Sequence, residues 1–101
     1  MLTTFTALAD PVRLRVVALL FDGERSAGEI ERALRISQPA ASKHLRSLRL
    51  AGLVRVRKDA QRRLYRLDPA PLAELDAWLA PYRQFWSQRL DALERHLDQD
   101  S

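Results

Sequence analysis

The most constraining feature of this sequence is a change of hydrophobic period at Gly52. Before it, Ala41, Leu45 and Leu48 recur at helical spacing, and Gly52 is the stop signal expected after such a helix. After it, apolar and basic residues alternate along two short runs that are joined at about residues 59–61. The pattern predicts a helix of residues 37–51 that runs directly into a β-hairpin of residues 53–67.

The same part of the chain is strongly basic. Residues 35–66 hold ten Lys or Arg against one acid, Asp59, whereas the rest of the chain holds seven basic and twelve acidic residues. The formal net charge of +4 therefore conceals a segregated distribution. Positive charge that coincides with a helix and a hairpin favours binding of a polyanion over a merely solvated face.

Helix start signals organise the chain before Gly52. Asp10 precedes a proline, Ser26 opens a capping box, and Ser37 stands before the helix described above. A further short helix is expected at about residues 3–9. The third and fourth helices are separated by a turn of about three residues, which is the spacing of a helix-turn-helix. The hairpin that follows is the wing of a winged version.

The core-facing residues follow from the same periods. From the helix that Ser26 begins, Ile30, Ala33 and Leu34 are expected to turn inward. Arg55 and Arg66 are expected on the solvated face of the hairpin, with no contact assigned. The residues expected to attach the hairpin to the core are Leu53, Val54, Leu64 and Leu67.

The C-terminal region, residues 70–98, carries one persistent apolar stripe at helical spacing. Pro81 is expected to kink or split it near Ala80. A chain of 101 residues predicts one domain, 1–101, that is only marginally stable alone, so we expect the stripe to form a homodimer. The alternative is that the stripe packs wholly on its own core. The predicted interface comprises Phe5, Leu8, Leu72, Leu75, Trp78, Leu79, Tyr82, Phe85, Trp86, Leu90, Leu93 and Leu97.

Double-stranded DNA is the predicted partner of the basic region. Gln38 and Ser42 offer hydrogen bonds to base edges in a major groove, and short side chains near the start of the helix permit close approach. Lys43, Arg46 and Arg49 suit phosphates, and the hairpin tip suits the flanking backbone or minor groove. Ser47 is expected to point outward with them. The predicted DNA-binding set is Ser37, Gln38, Pro39, Ala40, Ser42, Lys43, His44, Arg46, Arg49, Arg57, Lys58, Gln61, Arg62 and Arg63.

Neither catalysis nor metal binding is predicted. The chain has no cysteine, which excludes disulfides and thiolate metal sites, and its two histidines, His44 and His96, are far apart in sequence. For His44 we expect a structural role or a phosphate contact. Ser42 and His44 are two apart on a helix and do not face each other. We expect no catalytic residue, no metal and no cofactor.

A cytoplasmic location is expected from the absence of targeting signals. The first residues lack a basic segment followed by an apolar one, so no signal peptide is predicted. No apolar run approaches the roughly 20 residues that span a bilayer. We therefore expect a soluble, intracellular protein with no membrane partner.

These motifs resemble the ArsR-type winged-helix repressors of bacteria. The resemblance rests on residues 5–14, on residues 37–45 in the predicted reading helix, and on residues 48–54 with the basic wing that follows. It agrees with a mainly α, α+β winged helix-turn-helix of order α-α-α-α-β-β-α(α). It implies a homodimeric repressor that binds an imperfect inverted repeat and is released by a small effector.

One departure from the family pattern concerns metal sensing. Metal-sensing members carry cysteine pairs or clusters of carboxylates and histidines, whereas this chain has no cysteine, and His96 points away from Glu94 and Asp98 on a helix. The sequence therefore resembles a metal-free branch. Three alternatives stay open: a winged-helix module that binds another protein, an activator, and a metal-responsive sensor. The operator and any effector are not specified by the sequence.

Overall fold

The structure, a computed structural model, describes residues 1–100. In this part of the chain, five helices and three short strands follow one another in the order α1-α2-β1-α3-α4-β2-β3-α5. The predicted α+β winged helix-turn-helix architecture is confirmed. The helices are α1 Leu2–Leu8, α2 Pro11–Phe21, α3 Ala27–Leu34, α4 Gln38–Leu50 and α5 Pro69–Asp100, and the strands are β1 Arg25–Ser26, β2 Val54–Asp59 and β3 Arg62–Leu67.

The predicted caps begin the helices. Asp10 Oδ1 accepts hydrogen bonds from two amides of the first turn of α2, at 2.8 and 3.0 Å. Ser26 and Glu29 form the capping box of α3, each side chain accepting from the other residue's amide at 3.2 and 3.1 Å. The Ser37 hydroxyl accepts from the third residue of α4 at 3.2 Å. Because these bonds satisfy amides that have no partner inside the helix, local sequence determines where each helix starts.

The sheet has three antiparallel strands in the order β1-β3-β2. β2 and β3 form the predicted hairpin, in register from Val54 opposite Leu67 to Asp59 opposite Arg62. Ala60 begins the two-residue turn with a φ of 57°, in the left-handed region. Strand β1 was not predicted, because two residues carry no period and pair only through the fold.

Alternation along the strands gives the wing two different faces. Val54, Val56, Tyr65 and Leu67 share one face and belong to, or pack against, the hydrophobic core. The opposite face carries mainly basic residues together with Leu64, which is also buried. Consecutive residues of β3 are therefore buried on both sides of the sheet, and the burial of Tyr65 was missed by the sequence reading.

The core lies between the helices and the inner face of the sheet, and Val16, Ile30, Leu48 and Leu53 are its largest fully buried side chains. The expectation that Ala33 turns inward is wrong, because it is exposed. The eight-residue helix α3 buries one side, and Ala33 lies about a quarter turn away from that side.

Helix α5 is continuous through Pro81, so of the two outcomes expected there, a kink or a split, the split does not occur. The proline removes one amide from the helix, and exposure lets water hydrogen-bond the carbonyl that is left free. Asp68 caps the start by accepting from the Ala70 amide at 3.1 Å. Thirty-two residues give a helix of about 48 Å, which explains the longest molecular extent of 63 Å. None of the helices within residues 1–100 is both long and apolar enough to cross a bilayer.

Candidate nucleic-acid interface

Helix α4 has the two faces that the sequence predicts. Ala41, Leu45 and Leu48 are buried. The side chains on the other side are exposed, and the residues predicted to read bases are among them. Ser47 departs from its expected outward position, since it is half-buried and lines a groove against α1. The exposed members of the predicted set on this helix and its cap are Ser37, Gln38, Pro39, Ser42, Lys43, Arg46 and Arg49, while Ala40 is half-buried.

The turn before α4 is held by backbone and arginine contacts. Arg35 ends α3 in the left-handed region, at φ 56° and ψ 48°. From α2, Arg15 Nη2 donates to the carbonyl of Leu34 at 3.2 Å and so satisfies the end of α3. With Ser37 as the cap of the next helix, these contacts fix the angle at which α4 leaves the turn.

His44 faces the protein rather than solvent. Its side chain is 13 % exposed, and Nδ1 lies 3.9 Å from Oδ1 of Asp10. Within residues 1–100 this buried nitrogen has no hydrogen-bond partner. Of the two roles expected for His44, this position favours the structural one.

The basic side chains of the wing divide between its two faces. Lys58 and Arg63 are cross-strand partners that continue the inner face of the sheet toward the tip. Together with Val56 and Arg57 they line a groove whose other side is Arg49 from α4. The structure therefore brings two tip residues of the wing together with the predicted phosphate-binding side of α4.

Arg57 and Arg62 lie on the other face of the wing. Arg57 forms a bidentate ion pair with Glu24, with Nε–Oε2 at 2.9 Å and Nη2–Oε1 at 2.7 Å. Arg62 Nη2 lies 3.6 Å from Asp59 Oδ2. Gln61 is exposed in the turn between the strands. Arg57 also lines the groove beside Arg49, but its guanidinium is held by Glu24, a contact that the sequence did not predict.

Arg55 and Arg66, for which no contact was expected, line a groove beside α4 with Arg46, Arg49 and apolar side chains. Arg55 Nε donates to Oδ2 of Asp68 at 2.8 Å. Both arginines lie on the outer face of the sheet with Arg57, so this face is basic along its whole length. Strand alternation could have revealed that the outer face is basic. It could not have revealed which carboxylates lie beside that face.

Two carboxylates neutralise much of the outer face. Hydrogen bonding from Arg57 is the main cause that lowers the pKa of Glu24, and the charges of Arg57 and Arg66 act in the same direction. The Ala70 amide and then Arg55 lower the pKa of Asp68. Both carboxyl groups are therefore ionised at neutral pH. Among the described residues, no acidic side chain forms an ion pair with Lys43, Arg46, Arg49, Lys58 or Arg63, so the surface that combines α4 with the inner side of the wing keeps its positive charge.

An exposed apolar surface joins the two ends of the chain. The rings of Phe5 and Trp78 meet edge to face with centroids 5.2 Å apart, and Trp78 also contacts Tyr82 at 4.8 Å. Leu8 and Leu72 pack against the core, and Leu75 and Leu79 are half-buried. The predicted interface residues that remain exposed are Phe5, Trp78, Tyr82, Phe85, Trp86, Leu90, Leu93 and Leu97. Because so much of the stripe is exposed, the alternative that it packs wholly on its own core is wrong.

Within the described part of the chain, no three metal-ligating side chains come close enough together to hold an ion. The candidate metal ligands of the C-terminal region, His96, Glu94 and Asp98, all lie on the exposed distal part of α5.

Comparison with known proteins identifies relatives for nearly the whole chain. Residues 10–56 match the family model described as bacterial regulatory protein, arsR family. The HTH-type transcriptional regulator Rv2034 of Mycobacterium tuberculosis is 39% identical over 94 residues, which cover 93% of this chain and 85% of that protein.

Two further relatives match over a shorter region. The biofilm growth-associated repressor of Xylella fastidiosa is 43% identical over 68 residues, covering 67% of this chain and 60% of that protein. The transcriptional activator HlyU of Vibrio cholerae is 46% identical over 62 residues, covering 61% and 57%.

The fold also matches solved structures. One is the solution structure of the homodimeric winged helix-turn-helix DNA-binding domain of Mb0332 from Mycobacterium bovis, a possible ArsR-family transcriptional regulator. It superposes with a TM-score of 0.68 at 32% identity, covering 81% of this chain and 76% of that one.

Proposed function

Because the chain belongs to the arsR family of bacterial regulatory proteins, which are DNA-binding regulators of transcription and not enzymes, we propose that it is a homodimeric repressor that reads an inverted repeat. In this proposal, residues 1–101 form a single winged domain, with residues 70–98 as its dimerisation region. The observation that carries the proposal is the unneutralised basic surface shared by α4 and the inner side of the wing.

Helix α4 inserts its N-terminal half into the major groove. Gln38 and Ser42 are exposed there beside Pro39, and no bulky side chain among them keeps the helix from the base edges. Gln pairs with adenine through two hydrogen bonds, and Ser bonds to several bases. These two residues therefore supply the sequence preference within the major groove.

The cations around this centre bind phosphates. Lys43, Arg46 and Arg49 are exposed along α4, and Lys58 and Arg63 continue the charge onto the wing. Phosphate contacts fix register and orientation without reading sequence. They make the affinity depend strongly on salt, because each contact releases counterions from the DNA.

The dimer forms through the exposed apolar surface of α1 and α5. Trp86 and Leu90 are 61 % and 62 % exposed in the single chain, and large aromatic side chains concentrate binding energy at interfaces. The homodimeric Mb0332 domain supports a homodimer. A two-fold dimer would place its two α4 helices about 34 Å apart, or a multiple of that distance, facing successive half-sites.

Repression follows from occupying a promoter, and a small effector would release the protein. A repressor and an activator are both among the relatives, so the sign of regulation needs its own experiment. Reporter expression with and without the gene separates the two. A protein-binding module remains the second candidate, favoured by the exposed apolar length of α5. A metal-responsive sensor would show zinc binding in calorimetry at neutral pH.

The direct test is selection of bound sequences from a random duplex library, followed by titration of the enriched duplex. The proposal expects an inverted repeat, and affinity that falls steeply with salt. Binding only to a protein partner, with no enriched sequence, would contradict it.

A further inference from the structure

The ion pair between Glu24 and Arg57 crosses the sheet. Glu24 immediately precedes β1, and Arg57 lies on β2, at the opposite edge of the three-stranded sheet. Tyr65 of the central strand pairs with Arg25 of β1 on one side and Val56 of β2 on the other. The carboxylate and the guanidinium therefore meet over the outer face of β3 and join the two outer strands.

The pair lies above a small buried patch. Leu64 stands between Ser26 and Arg57 on the outer face of the sheet. It is 7 % exposed, yet it is not a member of the main core cluster. The ion pair therefore covers Leu64 on the outer face of the sheet, which is the face opposite the main core.

The Glu24–Arg57 pair lies at the point along the wing where the three-stranded sheet becomes a two-stranded hairpin. β1 pairs only with Leu64 and Tyr65, so residues 58–63 extend beyond it as a two-stranded hairpin. Such hairpins are marginally stable alone. Lys58 and Arg63, which share a groove with Arg49, lie in this extension. The Glu24–Arg57 pair therefore crosses the sheet beside the start of the extension that carries the basic tip.

The geometry of the pair suits a positioning role. Arg57 and Glu24 meet through two parallel hydrogen bonds, a planar arrangement that fixes angle as well as distance. Their side chains are 50 % and 26 % exposed, and exposed ion pairs add little to global stability. A contact of this geometry can fix the direction of the hairpin relative to the turn that leads into α3.

We propose that Glu24 and Arg57 are positioning residues that aim the tip of the wing into the minor groove beside each half-site, and that they thereby determine the base preference at the flanks of the operator. Arg57 does not bind phosphate in this account, although the sequence placed it among the DNA contacts. The inference rests on the proposed DNA-binding function.

The test compares four full-length proteins: wild type, Glu24→Gln, Arg57→Ala and the matched control Arg55→Ala. Arg55 lies on the same strand and face, carries the same charge, and pairs with Asp68 at the base of the wing. Each protein is used for selection from a random duplex library, and the salt dependence of its affinity for the wild-type consensus duplex is measured. Amide hydrogen exchange of the hairpin and thermal unfolding are recorded for each variant. If Arg57→Ala does not fold, Arg57→Lys replaces it. Lysine keeps the positive charge but cannot form the two parallel hydrogen bonds of the guanidinium.

Glu24→Gln and Arg57→Ala should each lose base preference at the flanking positions by roughly tenfold, the size of one lost base contact. Preference at the positions read by α4 should persist. In both variants, the hairpin amides of residues 58–63 should exchange their hydrogens faster than in the wild-type protein. Arg55→Ala should keep the wild-type flank preference.

Two results would overturn the inference. One is a wild-type flank preference in both variants, or none in wild type. The other is a loss in Arg57→Ala that is uniform over all positions and lowers the salt slope by about one unit, which would make Arg57 a phosphate contact. If wild type enriches no sequence at all, it is the proposed function that fails.

Discussion

Phe5 of α1 and Trp78 of α5 meet edge to face, with ring centroids 5.2 Å apart, and so join helices from the two ends of the chain. Phe5 is 38 % and Trp78 45 % exposed, so each ring keeps free surface after this contact. The apolar stripe of α5 continues from Trp78 for most of the remaining helix. The two helices together present the surface through which we expect two chains to associate.

Trp86→Ala should shift the protein toward monomer. Trp86 is 61 % exposed in the single chain, and its removal deletes a large apolar contact from the proposed interface. Sedimentation velocity over a range of concentrations measures the shift. Gln88→Ala is the matched control, because residues two apart on a helix point to different sides. A tight dimer in Trp86→Ala would place the interface elsewhere.

Leu48→Ala should lower the free energy of unfolding by about 2–5 kcal/mol, the usual cost of a cavity at a buried leucine. Leu48 is fully buried under α4, whereas Leu50, two residues later, is 77 % exposed. Leu50→Ala should therefore change stability by less than about 0.5 kcal/mol. Chemical denaturation of both variants checks the contrast, and equal losses would refute the described orientation of α4.

Gln38→Ala or Ser42→Ala should relax base preference at one position of the half-site, by roughly 1–3 kcal/mol. Both side chains are exposed in the N-terminal half of α4. Competition titration with duplexes that carry single base changes measures the effect. An equal loss with every duplex would mean that these residues only position the helix.

The protein should lose stability in acid. Hydrogen bonds lower the pKa of four capping or paired carboxyls: those from Arg57 to Glu24, from Ser26 to Glu29, from the Arg13 amide to Asp10 and from the Ala70 amide to Asp68. Since each group is more acidic in the folded chain, its ionised form stabilises the fold above its unfolded pKa. That contribution is lost as the pH falls through the folded value.

Denaturation as a function of pH should therefore show a plateau near neutrality and a decline below about pH 4.5, where unfolded carboxyls begin to take up protons. Glu24→Gln should make the decline shallower. Glu74→Gln, which removes an exposed carboxylate from α5, is the control and should follow wild type. A decline in Glu24→Gln as steep as in wild type would refute the contribution of the Arg57 pair.

Local signals were sufficient to predict most of the helices. Asp10, Ser26 and Ser37 cap α2, α3 and α4 through bonds to residues two or three positions away, so the sequence carries the whole interaction. The hairpin was equally predictable, because the register of its two strands follows from the alternation of apolar and basic residues. Fold and family were therefore predictable before any coordinates.

Features that depend on distant residues were not predictable. Glu24 and Arg57 are 33 positions apart, and only the pairing of β1 with β3 brings them together. His44 turns toward Asp10 because α2 packs across α4, which no local pattern encodes. Pro81 was expected to kink or split α5, but the helix continues through it, because the position is exposed and water can compensate for the lost bond.

The most direct test of the account is the salt dependence of binding to the selected duplex, measured for wild type, Lys43→Ala, Arg63→Ala and the double variant. If α4 and the inner side of the wing form one phosphate-binding surface, each single variant should lower the slope by about one unit per phosphate contact that the protein loses, and the two losses should add. A slope unchanged in either single variant would show that the helix or the wing lies away from the DNA, and would contradict the account.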